Sequence, residues 1–150
     1  MKSIRLLILL SVFGTIACAA EAVEVWTAAQ LKSDAAKLAP APQIAGNTLG
    51  AWGSHSASLW KRTSSGQAEL HKTKADLMII QDGSATFVSG GSIAGGHPTE
   101  AGEIRGTSIT NGQSRKLAPG DIVHVAPGTP HQFVLEKGQT ITYVAVKLAR

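Results

Sequence analysis

The sequence predicts an all-β domain, a single barrel or sandwich preceded by one short helix. Three observations carry that expectation. From residue 57 onward apolar and polar residues alternate in short runs, the period of a half-buried strand. Turn-forming pairs separate these runs, among them Asp82-Gly83, Gly90-Gly91, Asn111-Gly112, Pro119-Gly120, Pro127-Gly128 and Lys137-Gly138. Helical spacing occurs clearly in one early segment only.

The helix is expected over residues 26–39. Thr27 is a suitable N-cap and Gln30 follows three residues later, the spacing of a capping box. Leu31, Ala35 and Leu38 share one face, and Pro40 and Pro42 end the element. Residues 40–53, rich in Pro, Gly and Ala, are expected to be mostly loop. Strands are then expected over 57–62, 67–71, 76–81, 85–88, 103–109, 114–117, 121–125, 132–135 and 140–147. Asp82-Gly83 and Asn111-Gly112 read as hairpin turns, because their central positions accept positive φ. The glycine-rich stretch 90–102 reads as a long loop at one mouth of the barrel, with at most a short strand at 92–94. Many short strands at this spacing suit a closed barrel, which leaves no free sheet edge.

The first twenty residues set the expected compartment. Lys2 and Arg5 precede an apolar run from Leu6 to Phe13, and small residues follow at Ala17, Cys18, Ala19 and Ala20. This is the layout of a cleaved export signal. The run is shorter than the ~20 apolar residues a membrane span requires. A secreted or periplasmic protein is expected, cut after Ala19 or Ala20. Lipid attachment at Cys18 is less favoured, because Thr15 stands where a lipobox prefers Leu. Cys18 is the only cysteine, so the mature chain is expected to have neither disulfides nor thiolate ligands. The division is therefore 1–20 signal, 21–53 helix and loop, and 54–150 barrel. The full chain carries 14 Lys and Arg against 10 Asp and Glu. Loss of Lys2 and Arg5 halves that excess, which leaves no basic footprint for nucleic acid.

Two segments carry the chemistry. The first runs Glu69-Leu-His71-Lys-Thr73-Lys-Ala-Asp76 and on to Gly83. The second runs Gly120-Asp-Ile-Val-His124-Val-Ala126-Pro-Gly128-Thr-Pro-His131. Together they resemble the two signature motifs of the cupin superfamily, Gly-x5-His-x-His-x3–4-Glu-x6-Gly and Gly-x5-Pro-x-Gly-x2-His-x3-Asn. Gly120, Gly128 and His131 match the second motif; Ala126 and Leu135 depart from its Pro and Asn. In the first, Asp76 takes the glutamate place and Gly83 the closing glycine. The paired histidines fall on Glu69 and His71, or on His71 and Thr73 if the spacer is shortened, so one of them is missing. The resemblance spans about residues 57 to 147. It implies a single cupin barrel of the cupin-2 kind, with metal ligands at His71, Asp76 and His131. It implies small-molecule chemistry of the dioxygenase, isomerase, lyase or epimerase type, and homodimers are common in such a family.

The residues give independent support for a site. Positions 69, 71 and 73 share one face of a strand, and Glu, His and Thr pointing into a barrel need a partner there. A cation would supply it. Two histidines and one carboxylate leave coordination positions open and suit Fe, Mn, Ni or Zn as the divalent ion. Glu69 could be a fourth ligand or, with His124, could move protons. The alternative is a metal-free barrel, with His71 and His131 as hydrogen-bonded polar residues and a small molecule or sugar as ligand. His124 shares a face with Ile122 and Ala126, which the sequence places either in the cavity or on the surface. Glu103 and Arg105 alternate on one face, as a surface ion pair or as an inward clamp for a substrate carboxylate. His55 and His97 fall in expected loops. Trp52, Trp60 and Phe133 suit a core. There is no phosphate loop and no nucleophile elbow.

Overall fold

The computed structural model describes residues 23–38 and 43–149. The export segment, Cys18 and the Pro40 and Pro42 helix stop lie outside the described residues.

Helix α1 (Ala28–Lys37) starts as its capping box dictates: Gln30 N–H donates to the Thr27 hydroxyl at 3.2 Å and Thr27 N–H to Gln30 Oε1 at 3.0 Å. Ala35 is its buried residue. Among the described residues thirteen strands follow: β1 (Ile44–Ala51), β2 (His55–Arg62), β3 (Ala68–His71), β4 (Lys74–Gly83), β5 (Ala85–Ser89), β6 (Ser92–Ala94), β7 (His97–Glu100), β8 (Glu103–Gly106), β9 (Ser108–Thr110), β10 (Gln113–Leu117), β11 (Ile122–Val125), β12 (His131–Val134) and β13 (Ile141–Ala149). One sheet has the order β1-β2-β13-β4-β11, a second β10-β5-β12-β3-β8-β7, and β6 pairs with β9. All pairings are antiparallel.

The core lies between the two large sheets. Met78 and Ile80 on β4, Val125 on β11, and Ile141 and Tyr143 on β13 meet Ala85 and Phe87 on β5, Leu117 on β10 and Phe133 on β12. Alternation along β4 buries Asp76, Met78 and Ile80 and leaves Leu77 and Ile79 half-buried on the other face. That outer face is not simply wet. Leu59 on β2 is fully buried, and α1 lies beside the outward side chains of Lys61, Gln81 and Thr142.

Four expectations need correction. The stretch 40–53 is not mostly loop, because β1 pairs with β2 along its length, from Ile44 opposite Arg62 to Ala51 opposite Ser56. No alternation marks β1, since Gly46 and Gly50 interrupt it. Its place is set by packing: a Cβ on Gly46 would lie 2.2 Å from the Trp60 ring, so the glycine lets the indole cross the strand. Second, the single strand expected over 103–109 breaks at Thr107, whose N–H donates to Ala94 O at 2.9 Å. β8 then pairs with β3 and β7, and β9 with β6. Third, the expected loop 90–102 holds a further strand, β7, beyond the short strand expected at 92–94, which is β6.

The fourth correction concerns the turns. Asp82-Gly83 and Asn111-Gly112 do not close hairpins. β4 and β5 belong to different sheets, and β9 and β10 have different partners. Gly83 at φ 75 and Asn111 at φ 58 do adopt the left-handed region, but there they turn the chain from one sheet to the next. A positive φ fixes a bend without fixing which strands it joins. At Gly83 an added Cβ would lie 2.0 Å from the Thr140 carbonyl oxygen. Gly83→Ala is therefore expected to lower stability by about 2 kcal/mol or more, read as a drop in urea midpoint.

Candidate metal centre

Strand register assembles the site pair by pair. In the second sheet His71 on β3 stands opposite Glu103 on β8, Glu69 opposite Arg105, and His131 on β12 opposite Glu69. In the first sheet Asp76 on β4 stands opposite Lys147 on β13. Directly opposed side chains on one face are in contact range. Closure of one sheet over the other then brings Asp76 and Lys147 onto His71 and His131. Asp76 Oδ2 lies 3.1 Å from His71 Nε2 and 3.4 Å from His131 Nε2, and Glu69 Oε1 lies 3.8 Å from His131 Nε2.

The outer nitrogens of both rings are tied back. His71 Nδ1 bonds the Glu103 carboxylate and His131 Nδ1 the Thr129 carbonyl at 3.1 Å. A carbonyl oxygen only accepts, so His131 carries its proton on Nδ1, and its Nε2 faces the two carboxylates. The Glu103 carboxylate imposes the same tautomer on a neutral His71. Metal-bound histidines are commonly oriented in this way.

Burial would push the Asp76 carboxyl up. The imidazoles of His131 and His71, which donate to it from Nε2 when protonated, and the Lys147 ammonium outweigh this and hold the group well below the usual carboxylate range. Burial alone would lower His71; its hydrogen bond to Asp76 and that residue's charge more than offset this and leave the imidazole raised.

The donors fit a small divalent ion. Metal–ligand bonds of roughly 2.1 Å put neighbouring donors of an octahedral ion about 3.0 Å apart and opposite donors about 4.2 Å apart. The separations above fall in that interval, and Glu69, His71 and His131 can each bring a ligand atom within 4.8 Å of the others. The set has imidazole and carboxylate donors without sulfur, which suits Fe, Mn, Ni or Zn. Cations already in place temper the fit. Arg105 Nη1 lies 2.8 Å from Glu69 Oε2, and Lys147 Nζ donates to Asp76 Oδ1 at 2.9 Å. Among the described residues no buried side-chain nitrogen or oxygen lacks a partner.

Of the residues expected from sequence, the structure brings together Glu69, His71, Asp76 and His131. It leaves out Thr73, which is exposed in the bend between β3 and β4. The cavity role considered for His124 is corrected as well: Val123 and Val125 point inward on β11, and His124 is exposed on the opposite face. It lines a groove of about 770 Å³ with Arg115 and Ile122, whereas the cavity beside the ionisable cluster does not include it. Glu103 and Arg105 both serve the cluster, through His71 and Glu69. Lys147 and the orienting role of Glu103 were not foreseen. Parity on β13 places Lys147 on the face of Tyr143, but the sequence does not say which face is inside. A cavity of about 280 Å³ opens beside the cluster, lined in part by Trp60, Arg62, Met78, Phe133, Tyr143 and Lys147.

No protein-family model matches the sequence, and no curated protein does. Solved structures do match. A double-stranded β-helix protein from Klebsiella pneumoniae superposes with a TM-score of 0.58 at 14% identity, over 85% of this chain and 90% of that one. A cupin 2 conserved barrel protein from Rhodopseudomonas palustris gives 0.51 at 19%, over 75% and 66%. The DMSP lyase DddQ from Ruegeria pomeroyi gives 0.50 at 19% over 71% of this chain, which spans 47% of that enzyme. At these identities the likeness establishes the fold.

Proposed function

Starting from the cupin fold, the double-stranded β-helix barrel, we propose that this chain is an exported single-domain cupin that holds one divalent transition metal and acts on a small molecule. Lyase or isomerase chemistry fits best, and an iron centre would add O₂ activation as an option. One observation carries the reading: His71 Nε2, His131 Nε2 and Asp76 Oδ2 converge from three strands of two sheets. His71, His131 and Asp76 would hold the ion, with Glu69 beside them. A bound metal supplies Lewis acidity toward substrate oxygens.

The chain's own residues do the rest. Trp60, Met78 and Phe133 give the cavity apolar walls that limit water. Glu69 lines the cavity, held by Arg105 at 2.8 Å through Oε2 and by Arg62 at 3.9 Å through Oε1, and its carboxylate would accept a proton from substrate there. The DMSP lyase from Ruegeria pomeroyi shares this fold; fold alone does not transfer its activity.

The second reading is a metal-free barrel that binds a small molecule. It is favoured by the complete pairing of the cluster without an ion.

Elemental analysis of the mature protein, purified without a tag or chelator, separates the two. About one equivalent of a single metal, lost in His71→Ala and His131→Ala, is expected. No metal after dialysis against Fe, Mn, Ni and Zn would leave the binding barrel as the account.

A further inference from the structure

Lys147 Nζ donates to His71 Nε2 at 2.8 Å and to Asp76 Oδ1 at 2.9 Å. Both atoms belong to residues that would hold the metal. With Nδ1 committed to Glu103, the neutral His71 ring has one in-plane lone pair, on Nε2. That lone pair accepts from an ammonium or binds a metal; it cannot do both. The Asp76 carboxylate has more lone pairs, but an ammonium and a divalent ion on one carboxylate repel each other. We propose that Lys147 is a resident cation that competes with the metal for His71 and Asp76, so the ion binds only when this side chain swings out.

The inference rests on the metal reading above. Its geometry permits the exchange. Lys147 lies near the end of β13, and its side chain is 41% exposed while those of His71 and Asp76 are 3% and 7% exposed. The ligands stay fixed, and the lysine has a flexible stem and open solvent to move into. The lysine thus satisfies buried acceptors in the metal-free protein and lowers the affinity of the site for metal. It is a positioning residue for the empty state, distinct from the ligands.

Co(II) titration of the mature wild type and Lys147→Met at pH 8, followed by calorimetry, tests this. The variant is expected to bind at least ten-fold more tightly. Equal or weaker binding by the variant would overturn the competition and leave the metal reading standing. No binding by either protein would remove both. Charge removal alone could tighten binding, so a second measurement isolates displacement. The Lys147 ammonium resonance of the ¹⁵N-labelled wild type should be protected in the metal-free protein and lose that protection as diamagnetic Zn(II) binds. A resonance that stays protected in the Zn(II)-loaded protein would sink the proposal. This readout needs no variant to fold.

Discussion

Phe133→Ala is expected to remove about 3–5 kcal/mol of stability, measured by urea unfolding with the slope unchanged. Phe133 is 3% exposed and joins the two sheets. Its ring centroid lies 5.1 Å from Phe87, edge to face within its own sheet, and 4.8 Å from Tyr143, stacked across the interface. The Arg62 guanidinium sits over the same ring at 5.6 Å, while its Nε donates to the Tyr143 hydroxyl at 3.1 Å. Truncation leaves a cavity at the sheet interface and strips a buried guanidinium of one neighbour. Phe133→Leu, which keeps most of the volume, should cost about 1.5 kcal/mol or less. A loss below ~1 kcal/mol for the alanine variant would mean that the sheets do not close on this ring.

Asp76→Asn is expected to cost about 2–4 kcal/mol at pH 7 in metal-free protein, and to change how stability depends on pH. The carboxylate faces His71, His131 and Lys147, and the amide cannot neutralise them. The lysine can turn to solvent, which keeps the cost from being larger. The folded carboxyl is depressed. Its contribution is therefore complete above the unfolded value of about 3.9 and is lost as pH falls below it toward the folded value. Wild type should lose stability steeply below about pH 4, and Asp76→Asn should be flatter there. The raised His71 works in the opposite sense. Its contribution is complete below about 6.5 and fades as pH rises through the folded value. The variant loses the hydrogen-bond partner that raises His71, so this fade should shrink as well. Parallel pH–stability curves for the two proteins would contradict the placement of Asp76.

Much of the fold was legible because period-two alternation is a local record of which face is buried. The runs 57–62 and 76–81 lie within β2 and β4, and 140–147 overlaps β13 from residue 141, where one face meets the core. The capping box at Thr27 and Gln30 is likewise a contact within four residues. β1 was illegible for the opposite reason. Gly46 and Gly50 suit the space beneath aromatic rings, and nothing within 44–51 records that Trp60 lies across Gly46. The same limit applied at Gly83 and Asn111, whose backbone conformation could be read but not their strand partners.

The site divides along the same line. The sequence by itself determined an all-β barrel led by one capped helix, and it marked Glu69, His71, Asp76 and His131 as polar residues in a cupin-like spacing. Only the tertiary structure decided which neighbours those residues have. Cross-strand register set Glu103 against His71 and Lys147 against Asp76, and the burial of one face of β11 left His124 outside. The physical reason is separation along the chain: a strand's own alternation fixes two faces but does not label them inside or outside, and contacts such as Lys147 with His71, 76 residues apart, exist only when two sheets close.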